Sequence, residues 1–365
     1  MKQLKTGSSP GVHPMPDDVS GSLNTLLKKS LVVAFIAGSM VFTTAAQAIE
    51  FKISGQVSRM IVMPDDAQGD ETQFQDIGWS GSRWRITGSQ ELKNGMKAGF
   101  RLEQQIQSNS SSSTDGGAQV DGGNDDAIDN RYQDIWFSGD FGKVAIGKGD
   151  GAANGSTEAD LSGTALSSSS NHQDNWGNYT ITAGGTTWDS VFTMQDGLSR
   201  VNRLRYDTPG LNGIRLAFSI GQGSETEIGL KYTGNWDGNR LDARAFIVDT
   251  SDFSGPNTDI FGYSASYLMA SGLNITIAFA DVGRPAAADN EAFTVKVGYK
   301  QGIHAYTIDI GDGSTGANDA DTFGLTYAAV LDKGIEIFAT IRELDSNVAG
   351  STSVDILAVG SRIKF

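Results

Sequence analysis

Ser353-Val354-Asp355-Ile356-Leu357-Ala358-Val359-Gly360-Ser361-Arg362-Ile363-Lys364-Phe365 closes the chain. Successive side chains of an extended strand point to opposite sides. Leu357, Val359, Ile363 and Phe365 therefore share one face, and Ala358, Gly360, Arg362 and Lys364 share the other. A strand that is apolar on one side and small or charged on the other suits a wall between lipid and water. A soluble sandwich strand alternates equally well, so the remainder of the chain has to decide.

At the other end, Lys28-Lys29, an apolar run from Leu31 to Phe42, and Ala46-Gln47-Ala48 follow the order of a secretory signal with an A-x-A cleavage site. Residues 28–48 read as a signal peptide, with the mature chain 49–365 beginning at Ile49. Residues 1–27 are polar and contain Pro10, Pro14 and Pro16; they read as an N-terminal extension produced by an upstream start site. The apolar run is shorter than the ~20 residues of a membrane helix. Nothing later approaches that length, so any membrane span must be built from strands. The chain has 46 glycines and no cysteine, which removes disulfides, thiolate metal sites and thiol nucleophiles. Its 28 basic residues face 43 acidic ones, for a net charge of −15, so nucleic acid is excluded as a partner.

From Glu50 onward, sixteen segments of period-two alternation run from 50–63 to 353–365. Tight Gly/Asn/Asp turns such as Lys93-Asn94-Gly95 and Gly139-Asp140-Phe141-Gly142 alternate with longer polar gaps, of which 150–199 is the longest. Such turns supply the positive φ that a hairpin requires. Within segments the faces separate: Leu273, Ile275, Ile277 and Phe279 oppose Asn274, Thr276 and Ala278. Short turns at one end, long loops at the other and an even strand count predict an all-β, transmembrane, antiparallel up-and-down barrel of 16 strands. Phe51, Phe141, Tyr206, Tyr232, Tyr267, Tyr299 and Phe365 lie near strand ends, where interfacial aromatics belong.

Ser82-Arg83-Trp84-Arg85-Ile86-Thr87-Gly88, running into Asn94-Gly95-Met96-Lys97-Ala98-Gly99-Phe100-Arg101-Leu102-Glu103, resembles the second hairpin of Gram-negative general porins. Phe141-Gly142-Lys143-Val144-Ala145-Ile146-Gly147-Lys148, Arg203-Leu204-Arg205-Tyr206-Asp207-Thr208-Pro209 and the terminal Phe365 resemble the same family. The resemblance implies a homotrimer in the bacterial outer membrane, in contact with lipid and lipopolysaccharide and inserted by the barrel assembly machinery, with Phe365 as assembly signal. It implies a long third loop folded into the lumen and a constriction where basic wall residues face acidic loop residues. Carried onto this sequence, the basic wall is Arg83, Arg85, Arg101, Arg203 and Arg205, with Arg131 and Arg200 in less certain register. The acidic loop carboxylates are Asp150, Glu158 and Asp160, although the family's compact acidic motif is not evident in 155–163.

Of three histidines, His13 falls in the leader, and neither His172 nor His304 has a partner in a recognisable catalytic motif, so no enzymatic role is expected. Asp115, Asp121, Asp125, Asp126 and Asp129 crowd a glycine-rich loop. Hard oxygen ligands at that density bind calcium weakly when they bind it at all, and a solvated acidic loop explains them as well; no other cofactor is implied. The expected function is passive diffusion of ions and small hydrophilic solutes through a water-filled channel. A substrate-selective channel, or a barrel serving as adhesin or structural anchor, are the alternatives.

Overall fold

The computed structural model describes residues 49–109, 111, 127–223, 225–250, 259–283 and 290–365. The extension 1–27, the signal peptide 28–48, and Asp115, Asp121, Asp125 and Asp126 lie outside the described residues. In chain order the strands are β1 (Glu50–Asp65), β2 (Gln73–Asp76), β3 (Arg83–Glu91), β4 (Lys97–Gln107), β5 (Ala127–Gly139) and β6 (Gly142–Asp150). After the long connection come β7 (Arg200–Asp207), β8 (Ile214–Gly221), β9 (Thr226–Trp236), β10 (Asn239–Asp249) and β11 (Asp259–Leu268). The last six are β12 (Leu273–Gly283), β13 (Asn290–Gln301), β14 (His304–Thr315), β15 (Asn318–Asp332), β16 (Ile335–Ser346) and β17 (Val354–Lys364).

From β3 onward each strand pairs antiparallel with the next in sequence, and β17 returns to β1 with Gln56 opposite Lys364 and Asp65 opposite Asp355. The sheet is closed, so no edge is left unpaired. Strands β2 and β3 both lie along β1, in registers Arg59–Asp76 and Gln56–Arg83, and form one interrupted stave; the barrel has sixteen. The sequence reading placed Gln73–Asp76 in a gap, because four residues are too few to show alternation. Residues 77–82 step off the ladder between the two pieces, and Ile77 at the start of this step is fully buried.

The two faces follow the alternation. Ile275, Phe293, Val297, Ile308, Ile310 and Leu357 are exposed on the outside, as a lipid-facing wall requires. Asn274, Thr276, Thr294, Lys296, Thr307 and Asp309 are buried on the inside. Aromatics gather toward the short-turn end: Tyr206 and Phe218 stack at 6.5 Å, and Trp236 and Tyr267 at 5.9 Å. Gly142 shows why these turns need glycine. Its φ is 106°, and a Cβ there would sit 2.2 Å from the Asp207 carbonyl oxygen.

The chain terminus seals the ring. The Gly55 amide donates to the Phe365 carbonyl at 2.9 Å, and the Phe365 amide to the Gly55 carbonyl at 3.0 Å. A Cβ on Gly55 would sit 2.5 Å from Phe365 Cζ, so the ring lies over the one residue type that leaves room for it. The ring stays 66% exposed, hence it contributes little packing energy to the finished barrel. Phe365→Ser should lower the yield of heat-modifiable folded protein in outer membranes, with single-channel current of the surviving protein unchanged. Wild-type yield on semi-native gels would contradict an assembly role for the side chain.

Candidate functional site: a charged passage beside an inward loop

Residues 151–199, between β6 and β7, run along the inner wall. The Ala152 amide donates to Ser219 Oγ at 2.8 Å on β8, and Gly229 on β9 lets the chain pass, since a Cβ there would meet the Ala152 oxygen at 2.2 Å. Amides of Ala159 and Leu161 donate to Ser264 and Ser266 Oγ on β11, each at 2.9 Å. Farther round, Thr164 and Thr307 hydroxyls meet at 3.1 Å, and Ser168 Oγ donates to Asp309 at 2.7 Å. The small hydroxyl residues of the inner face therefore act as docking points for loop backbone.

Beyond Ser170 the loop builds an apolar core inside the barrel. Trp176, Tyr179, Ile181, Trp188, Val191, Phe192 and Met194 are buried against Met60, Val62, Leu344, Val354 and Ile356 of the wall. One helical turn, Gln173–Trp176, sits at the step in the second stave, where the Trp79 amide donates to Asn175 Oδ1 at 3.0 Å. Trp188 stacks on Phe192 at 4.4 Å and donates its indole N–H to the Asp345 carbonyl at 3.2 Å. This side of the lumen, over β12 to β17 and β1, is filled. The polar part of the lumen lies against β3 to β10.

Beneath the loop, charges from both sides neutralise one another. Asp309 and Arg342 have fully buried side chains paired at 2.6 Å, and buried Lys296 binds both Asp160 and the Ser168 carbonyl. His172 is fully buried with no hydrogen bond to either ring nitrogen. Burial first, then the Arg342 cation, pushes its pKa down to about 3, so it is neutral at physiological pH. Asp160, read from the sequence as a constriction carboxylate, is thus placed at the far wall, where it ties the loop to β13.

The predicted arginines come together on the other wall, where several share an acidic neighbour. Glu103, whose side chain is inaccessible to solvent, takes Arg83 at 3.5 Å, Arg131 at 2.9 Å and the Nε of Arg85. Asp134 takes Arg203 at 2.8 Å and Arg101 at 3.6 Å. Arg205 makes a bidentate pair with Asp207, at 2.8 and 3.0 Å, and reaches into the loop to donate to the Gly151 carbonyl at 2.5 Å. Asp150 is the last residue of β6, on the same wall as the arginines. It accepts from the Tyr132 hydroxyl at 2.5 Å and Asn154 at 2.9 Å, with Arg200 at 3.4 Å.

Across from this wall the loop presents Glu158, Asp174 and Asp196. Glu158 and Asp196 share a hydrogen bond, and the Gly155 amide donates to Asp196 at 2.9 Å. Burial first and the Asp196 charge second raise Glu158 well above the carboxylate range, and burial raises Asp196 as well. Asp174 is pushed up to about 7 by burial and by Asp196, against the pull of Arg200 and Arg131. Asp174 and Asp196 were not singled out in the sequence, since nothing periodic marks them. Glu103 was readable in principle: it sits two residues beyond Arg101, on the same face. Among the described residues no group of three His, Asp or Glu side chains is placed to hold a metal, and Asp129 is an exposed residue of β5.

A Gram-negative porin family profile matches residues 32–349. No curated protein sequence matches. Among solved structures, the anion-selective porin from Comamonas acidovorans is 19% identical, with 87% of this chain and 100% of that one covered and a TM-score of 0.62. The trimer form of OmpT, an outer membrane protein of Vibrio cholerae, is 13% identical with 87% and 100% covered and a TM-score of 0.55. A mutant of Rh. blastica porin is 17% identical over the same shares, with a TM-score of 0.56. At these identities the likeness is one of fold.

Proposed function

The chain belongs to the Gram-negative porins, and from that premise we propose that its passage between loop and arginine wall favours anions. As a porin it is an integral outer-membrane protein whose barrel is a channel for passive diffusion of small hydrophilic solutes. The passage performs no catalytic cycle in this reading: solutes are sorted by size and charge alone.

The observation that carries the preference is the charge of the wall. Among the described residues, the ion-pair partners of Arg83, Arg85, Arg101, Arg131, Arg200, Arg203 and Arg205 are four carboxylates, Glu103, Asp134, Asp150 and Asp207. Opposite them, the loop carboxyls hold protons more tightly than ordinary carboxylates. Charges in a narrow, partly dehydrated passage interact more strongly than in bulk water, and a Debye length of about 8 Å at physiological salt leaves them partly unscreened. In a KCl gradient across a planar bilayer the reversal potential should have the sign of chloride preference. Arg85→Ala with Arg101→Ala should move it toward cations, and the shift should shrink at molar salt. A wild-type channel that prefers potassium would sink this reading.

Assembly as a homotrimer is part of the same proposal. Part of the outer face of the first staves is polar: Arg59 pairs with Asp76 at 2.9 Å, and Gln104 and Gln133 share that face. Hydrocarbon is a poor solvent for them, whereas a neighbouring copy supplies partners. Cleavage after Ala48, contact with lipopolysaccharide and delivery by the barrel assembly machinery complete the proposed setting.

A further inference from the structure

A recess of about 430 Å³ opens in the arginine wall toward the short-turn end, bounded by β4 to β8 and the turn Thr208-Pro209-Gly210. Five cations line it, namely Arg101, Lys143, Arg203, Arg205 and Arg215, against the carboxylates of Asp134, Asp150 and Asp207. Two of the five are already committed. Arg203 is spent on Asp134 and on the carbonyls of Asp150 and Gly147, at 2.8, 2.9 and 2.7 Å, and Arg205 on Asp207 and Gly151.

The other three keep unused donors. Lys143 and Arg215 are solvent-exposed, and among the described residues neither has an ion pair. Lys143 rests over the Trp136 ring at 5.1 Å. Arg101 holds its guanidinium carbon 3.3 Å from the centre of the Tyr132 ring, while its nearest carboxylate oxygen, on Asp134, is 3.6 Å away. A guanidinium anchored on a ring, with N–H groups left over, presents the fork that two anionic oxygens match. Five cations against three carboxylates leave two positive charges uncompensated. A monoanion would answer one of them, and a dianion both.

We propose that this recess is a binding site for small dianions bearing two or more charged oxygens, the chemistry that dicarboxylates and inorganic phosphate share. Arg101, Lys143 and Arg215 supply the donors, while Arg203 and Arg205 hold the recess open by bracing Asp134 and Asp207. The site rests on the reading of the barrel as an open, anion-preferring channel, and gives that channel a residence point on its short-turn side.

The test is block of chloride current in planar bilayers by succinate and, separately, by inorganic phosphate, with acetate at matched ionic strength as the monovalent reference. Wild-type protein should show saturable block by the dianions and none by acetate. Lys143→Ala with Arg215→Ala should raise the half-blocking concentration at least tenfold, and Arg215→Gln alone severalfold. Lys333→Ala, which removes the same charge from a turn elsewhere on the rim, should leave the block unchanged. Phosphate block without succinate block keeps the site and restricts it to compact oxyanions. Chloride current without saturable block by either dianion, or equal block in the double variant, overturns the site while leaving the channel reading intact. An absence of chloride current overturns the channel reading itself.

Discussion

Trp188→Ala should open the channel. The indole is fully buried, stacked on Phe192 at 4.4 Å and hydrogen-bonded to the Asp345 carbonyl. Removing a side chain so placed costs about 3–5 kcal/mol. The barrel ladder makes no use of this residue, so the loss falls on the segment 151–199 rather than on the wall. Single-channel current should rise and become noisier. Chymotrypsin added from the long-loop side should cut within the loop, which offers Trp176, Tyr179 and Phe192, while the barrel keeps its heat-modifiable migration. Unchanged conductance together with protease resistance would mean that the apolar core does not hold the loop in place.

Selectivity should also depend on pH near neutrality. Asp174 titrates at about 7, and Glu158 and Asp196 are raised in the same direction. A raised carboxyl is neutral below its pKa and negative above it, so raising the pH adds negative charge to the loop side of the passage. The groups facing this cluster are Arg131 and Arg200 from the wall, Arg244, whose Nη1 donates to the Gly155 carbonyl at 2.6 Å, and Asp150. Chloride preference should therefore be strongest near about pH 6 and weaken toward about pH 8. Asp174→Asn with Glu158→Gln and Asp196→Asn should hold it at the low-pH value throughout. A reversal potential that stays flat across this range in the wild type would place the three carboxyls outside the conduction path.

The wall of this protein was legible in its sequence because a barrel repeats one rule sixteen times. Alternation in stretches such as Leu273–Phe279 fixes which residues face lipid, and Arg83, Arg85, Arg101, Arg203 and Arg205 fall on the inner parity by the same rule. What parity cannot supply is the partner. Glu103 shares the face of Arg101, yet its contact with three arginines at once depends on which residues of β3 and β5 lie beside it, and on the register shift at Glu103 and Gln104. The inward loop was less legible still. Asp160 looks the same in sequence whether it faces arginines across a passage or clasps Lys296 on the far wall, because a loop has no period from which to read direction. Trp176, Tyr179, Trp188 and Phe192 are large aromatics within an otherwise polar connection, and together they form its core.

That core also spans the line along which the ring closes. Met60 and Val62 belong to the first strand, and Val354 and Ile356 to the last; all four touch the same buried cluster from inside. The joint between the two ends of the sheet is thus riveted by a segment from the middle of the chain. The β1–β17 ladder closes the ring through its own backbone pairs, and seating the loop adds side-chain packing across that same line. The part that narrows the passage thus also braces the seam.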